Sequence, residues 1–127
     1  MTNATSSRIS GIANVGIPVR DTEGTLRFYR ETLGFQVRRD ATFGPGFRWV
    51  EVAPAGASTT IALAPAQGET HGVDTGIRLL TDDVPALHAE LREAGAQVDD
   101  ILTIPNVPPM FSFRDADGNQ LYVVEGG

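Results

Sequence analysis

One order of residue types occurs twice in this chain, and that repetition limits the folds open to it more than any other feature. Asp21 and Gly34 bracket one amphipathic stretch, and Asp82 and Gly95 bracket a second; both markers recur after 61 residues (82 − 21 and 95 − 34). Before the first pair, Val15, Ile17 and Val19 alternate with Gly16 and Pro18, the period of a strand with one buried face. Asp21 then supplies a helix N-cap. Across 22–33 the charged Glu23, Arg27, Arg30 and Glu31 fall on one arc, opposite Leu26, Phe28, Tyr29 and Leu33, as in a helix lying on a sheet. Gly34 fits the left-handed position that ends such a helix. Strand-like runs follow at 35–41, 47–53 and 59–64, divided by the turn-forming Phe43-Gly-Pro-Gly46 and Pro54-Ala-Gly56.

The second copy repeats the order. A strand at 76–81, a cap at Asp82-Asp83 and Pro85 in a first helical turn precede an apolar stripe of Val84, Leu87, Leu91 and Ala94. Further strand-like runs lie at 97–102, 110–114 and 120–125, with Asp115-Ala-Asp-Gly118 as a tight turn. The expected organisation is a mobile lead at 1–8 and one domain at 9–127. That domain comprises module 1 (9–65), a Gly-rich linker (66–74) and module 2 (75–126), each module strand-helix-strand-strand-strand. Half a chain of this length does not bury enough surface to fold alone, so both halves are expected to share one core. The fold class is α+β, a curved mixed sheet with helices on one face and a cleft on the other.

Composition removes several functions. Ten Lys plus Arg, all of them Arg, against sixteen Asp plus Glu give a net charge of −6, unsuited to nonspecific nucleic-acid binding. Without cysteine there is no thiolate nucleophile, disulfide or zinc-thiolate site. No run approaches the roughly 20 apolar residues that span a bilayer, so neither a membrane nor a nucleic acid is an expected partner, and the cytoplasm is the expected location. No serine stands in a nucleophile-elbow sequence, and neither Phe43-Gly-Pro-Gly46 nor Gln67-Gly-Glu69 has phosphate-loop spacing.

Val19-Arg-Asp21, Leu26-Arg-Phe-Tyr-Arg-Glu-Thr-Leu-Gly-Phe35 and Phe113-Arg-Asp-Ala-Asp-Gly-Asn-Gln-Leu121 resemble the vicinal-oxygen-chelate superfamily. That superfamily includes glyoxalase I, extradiol dioxygenases, fosfomycin-modifying enzymes and bleomycin-resistance-type binding proteins. Its enzymes hold a divalent metal at four strand positions, which the resemblance places here at Asn14, Ala62, Gly76 and Tyr122. None is a carboxylate or imidazole, so neither a metal nor another cofactor is expected. His71 reads as an exposed loop residue and His88 as a helix-surface histidine.

Stepping by two from those four positions sends Asn14, Phe47, Trp49, Glu51 and Ala62 into the cleft from module 1. Gly76, Arg78, Met110, Ser112, Arg114 and Tyr122 enter it from module 2, while Phe111 and Phe113 face the core. Glu51 and Arg78 either contribute to the cleft, pair with each other or with Arg48, or reach solvent. Trp49, Phe47 and Tyr122 suit stacking on a flat conjugated ligand. By resemblance to the bleomycin-resistance group, the expectation is a non-enzymatic homodimer that sequesters a bulky natural-product antibiotic at the subunit boundary. Two alternatives remain open: a metal-independent isomerase or cyclase using Glu51, and a metal-dependent glyoxalase- or dioxygenase-like enzyme.

Overall fold

In the computed structural model, which describes residues 8–68 and 70–126, each half of the chain builds its own mixed sheet. Residues 1–7 of the expected mobile lead, and Glu69 of the interior turn, lie outside the described residues. In the first sheet β1 (Asn14–Val19), β2 (Gln36–Thr42), β3 (Arg48–Ala53) and β4 (Thr60–Pro65) lie in the order β1-β4-β3-β2, with β1 and β4 parallel. The second contains β5 (Asp74–Thr81), β6 (Gln97–Val98), β7 (Leu102–Ile104), β8 (Val107–Arg114) and β9 (Gln120–Glu125). Its order is β5-β9-β8-β6, and β7 pairs with the other end of β8. The architecture is α+β as expected, but the strands divide into two sheets instead of one continuous surface, and neither closes into a barrel.

Both helices start and stop where the repeat places them, with one instructive difference. Asp21 accepts the Gly24 amide at 3.0 Å to cap α1 (Thr22–Arg27). A Cβ on residue 24 would stand 2.4 Å from the Asp21 carboxylate, so glycine there makes room for the cap. In the second copy the cap is Asp83, not Asp82, and it accepts from Ala86 at the start of α2 (Val84–Glu93). Gly34 and Gly95 end the two helical segments at φ +72° and +88°. Cap and glycine are therefore 13 residues apart in the first copy (34 − 21) and 12 in the second (95 − 83). A π-helical turn at Phe28–Thr32 absorbs the extra residue, closed by the Leu33 amide donating to the Phe28 carbonyl at 3.2 Å. It directs both Phe28 and Tyr29 against the core.

The run expected as one strand at 97–102 is split. After β6 the Asp99 amide bonds the Ser112 carbonyl, and the Asp99 carbonyl turns to His88 Nε2 at 2.9 Å. Two successive aspartates are poor strand formers, and the chain leaves the ladder there to rejoin β8 as β7. Pairing of Ile104 with Val107 leaves Pro105-Asn106 as a two-residue turn, with Asn106 at φ +67°. Pro108 and Pro109, which precede the strand-like run at 110–114, lie within β8, where the β7 register shifts and ladder donors are not required. His88 is a further correction: it is 7% exposed, not on the helix surface, and packs edge-on to Phe111 at 5.0 Å.

One apolar core unites the copies, drawing Ile17, Val50, Val52 and Leu63 from the first sheet and Phe111, Phe113, Leu121 and Val123 from the second. Phe28 meets Phe113 with ring centroids 6.3 Å apart. Beside this contact the Asp115–Asn119 turn reaches the β1–α1 junction. Tyr29 Oη donates to Asp115 Oδ2 at 2.9 Å, and Asn119 Nδ2 donates to the Pro18 carbonyl at 2.9 Å. The Arg20 and Asp21 amides both donate to the Asp117 carboxylate.

Candidate functional site

The face of the first sheet that α1 leaves open carries Asn14, Arg39, Trp49, Glu51 and Thr60, with Phe43 and Phe47 where the β2–β3 hairpin turns. Asn14, Arg39, Phe43, Phe47, Trp49 and Glu51 line an open hollow of about 340 Å³. The Phe43 and Phe47 rings stand 6.3 Å apart, 51% and 44% exposed, and the Arg39 guanidinium lies 5.4 Å from the Phe43 centroid. Arg39 was not among the expected site residues. It arrives because a register shift between Val37 and Arg39 sets it opposite Glu51. Ala62, expected at the cleft surface, is fully buried beneath its neighbours and presents nothing to a ligand.

Glu51 is held from two sides. Trp49 Nε1 donates to Oε2 at 2.8 Å and Thr60 Oγ1 donates to Oε1 at 2.6 Å. It pairs with neither Arg78 nor Arg48. Arg48 lies on the opposite face, joined to Asp40 at 2.8 Å and Glu23 at 2.6 Å. The Thr60 hydroxyl, then the Trp49 indole and more weakly the Arg39 charge hold the Glu51 carboxyl below its ordinary pKa, against the opposing effect of burial. That direction is opposite to what general acid–base work at neutral pH requires of a carboxylate. A depressed folded-state pKa contributes stability above the ordinary glutamate value, and the contribution is lost as pH falls through the folded-state value. An acid titration followed by Trp49 emission should therefore show a transition below the ordinary glutamate pKa, absent in Glu51→Gln. A transition at or above that value would contradict the geometry.

The open face of the second sheet is ordered in three rows. Arg114, Gln120 and Asp74 form the first, Ser112, Tyr122 and Arg78 the second, and Leu102, Met110, Val124 and Leu80 the third. Tyr122 Oη donates to Asp74 Oδ2 at 2.7 Å, and Arg78 lies 5.2 Å from the Tyr122 ring centroid. Ser112 Oγ donates to the Asp99 carboxylate. Asp74, like Arg39, was not among the expected site residues, since it fell within the expected linker. Between Asp74 and Arg78 the β5 register shifts by two residues against β9, a bulge centred on Gly76 at φ +69°. The Gly76 amide donates to Asp74 Oδ1 at 3.1 Å, which turns this carboxylate toward Tyr122. The Tyr122 hydroxyl and then the Gly76 amide lower the Asp74 pKa, and the same Tyr122–Asp74 bond raises that of Tyr122.

Among the described residues, none of the second sheet lines the aromatic hollow. Asn14 and Ala62 belong to one sheet, Gly76 and Tyr122 to the other. Ala62 and Gly76 have no side-chain donor atom, so this set does not fit the divalent metal that the resemblance implies. Among the described residues, no three His, Cys, Asp or Glu side chains converge on a point that could hold a metal ion. No helix among them is long and apolar enough to cross a membrane.

Known proteins resemble this chain over most of its length. TnmS3, an antibiotic binding protein from Streptomyces sp. CB03234, is 34% identical with a TM-score of 0.84, covering 96% of this chain and 100% of its own. A member of the glyoxalase/bleomycin resistance protein/dioxygenase superfamily from Sphaerobacter thermophilus is also 34% identical, with a TM-score of 0.85 over 93% of this chain and 98% of its own. The Bacillus subtilis protein YwbC is 32% identical over 120 residues, 84% of this chain and 90% of its own. The family model described as Glyoxalase/Bleomycin resistance protein/Dioxygenase superfamily matches residues 11–123, and the chain belongs to that superfamily.

Proposed function

We propose that this protein binds and sequesters a bulky aromatic natural product of antibiotic type, without a catalytic residue or cofactor, and that it acts in the cytoplasm. The observation that carries this reading is the exposure of Phe43 and Phe47 beside half-buried Trp49, on one wall of a hollow. Clustered rings open to water suit a site whose ligand covers them, with Asn14 and the two free lone-pair directions of Glu51 to orient it. Each ring stacked on a flat ligand contributes about 0.5–1.5 kcal/mol beyond area burial. The similarity to TnmS3 supports an antibiotic as the ligand class.

The functional unit we propose is a homodimer. Within one chain β1 and β5 each have a single strand neighbour, and the hollow is walled by first-sheet residues alone. A second copy that sets its Arg78–Tyr122 face over the hollow would turn two shallow surfaces into a crevice.

Titrating the protein with an anthraquinone-bearing enediyne, a mitomycin and bleomycin, followed by Trp49 emission, tests the proposal. We expect sub-micromolar binding of at least one flat polycyclic compound, weakened about tenfold by Phe47→Ala. Absence of sub-micromolar binding across the panel would remove the reading. Sedimentation at the same concentrations should show two chains per particle, and a monomer would overturn the dimer.

A further inference from the structure

On the open face of the second sheet the guanidiniums of Arg78 and Arg114 use little of their donor capacity. Arg78 Nη1 donates to the Gly76 carbonyl at 3.0 Å, and Arg114 Nη1 donates to the Gly118 carbonyl at 3.4 Å. A guanidinium carries five N–H donors, so most of each fork remains free. Neither forms an ion pair within 4.0 Å among the described residues, whereas Arg20, Arg27 and Arg48 do. Two carboxylates share this face, and a hydroxyl occupies each: Tyr122 bonds Asp74 and Ser112 bonds Asp99. Arg78 pairs with Tyr122 in the sheet and lies 5.2 Å from its ring centroid, and Arg114 pairs with Gln120 in the adjoining row, so the two arginines flank Gln120 and Tyr122 at the polar end of the face.

From that point the face grades in one direction. Arg114, Gln120 and Asp74 give way to Ser112, Tyr122 and Arg78, and then to Leu102, Met110, Val124 and Leu80. Leu80 is 77% exposed and Leu102 49%, so the apolar row is open to a ligand. Four residue steps along β9, from Gln120 to Val124, separate the first row from the third, about 13 Å at the rise of a strand. A fused three-ring system is of comparable length.

We propose that this face selects flat, fused-ring ligands with an ionised acid at one end, the acid received by Arg78 and Arg114 and the apolar end laid along the Leu80–Leu102 row. The inference rests on the binding function proposed above and adds the ligand's charge and direction. It is not what the net charge of −6 suggests, because that charge lies elsewhere on the chain. The free forks match a carboxylate in geometry as well as charge.

Anthraquinone-2-carboxylate and anthraquinone-2-carboxamide, titrated at pH 7, differ in charge with nearly the same shape. The carboxylate is expected to bind about tenfold tighter, as charge-assisted hydrogen bonds exceed neutral ones. Arg78→Gln and Arg114→Gln should each bring the ratio toward one. Asp74→Asn, which removes the competing anion but keeps an acceptor for Tyr122, should raise it. A role confined to bracing the β5 bulge would leave the ratio unchanged in all three variants and would overturn the proposal. Equal binding of the two probes by the unmodified protein would overturn the charge selection and leave the binding function standing. If neither probe binds while the drug panel does, this inference falls alone; if the panel fails too, both fall.

Discussion

Asp115→Ala should cost about 3–4 kcal/mol of stability and lower Tm by about 10–20 °C, although the residue lies far from the aromatic hollow. Its carboxylate is 6% exposed and organises one end of the molecule. Oδ1 accepts the Asp117 and Asn119 amides, both at 2.9 Å, and Oδ2 accepts Tyr29 Oη and, at 3.2 Å, Asn119 Nδ2. Removing it leaves the Tyr29 hydroxyl, itself fully buried, and the Asp117 and Asn119 amides without their acceptor, while Asn119 Nδ2 keeps the Pro18 carbonyl. Each buried group so orphaned costs about 1–3 kcal/mol, reduced where water enters the space. Asp115→Asn is the informative companion. Its single oxygen can still take both amides, and the Tyr29 hydroxyl can reverse to accept, but the new amide nitrogen opposes Asn119 Nδ2. That variant should lose about half as much as alanine. Thermal unfolding of both variants checks the order, and an alanine variant within about 1 kcal/mol of the parent would show that the turn does not hold the copies together.

How much of this was legible in the sequence varied with the kind of interaction involved. Asp21, Gly34 and Gly95 act through their own backbone neighbours, so their spacing located both helices, and the Phe111 and Phe113 assignments followed from strict alternation. Asp74 was hidden because the Gly76 bulge inserts two residues into β5, and no alternation rule shows where a strand absorbs extra residues. Arg39 was hidden for the same reason on β2. The break at Asp99 depends on a carbonyl turning toward His88, eleven residues earlier, and on the Ser112 hydroxyl across the sheet. Ala62 fitted its face by parity, but parity does not report that neighbouring side chains bury it. The division into two sheets is a property of which edges pair, and residue types along a strand carry little of that information.

Phe113→Ala should lower stability by about 3–5 kcal/mol, and the stronger expectation concerns where the loss is felt. Phe113 is fully buried, 6.3 Å from Phe28 of the first copy and 6.5 Å from Phe111 of its own, so truncation opens a void against both. Trp49 is the sole tryptophan and sits in the first sheet, a separate sheet from the substitution. Urea unfolding followed by Trp49 emission therefore reports one copy while the damage is in the other. If the two copies share one cooperative core, the emission midpoint should fall by about 2 M, and the far-ultraviolet dichroism midpoint should fall with it. If each copy is stable by itself, the Trp49 midpoint will stay where it was while the dichroism separates into two transitions. The first outcome is expected because each copy leaves Phe28, Tyr29 or Phe113 without a partner when the other is removed, and a half-chain sheet with one covering helix buries too little apolar surface to remain folded.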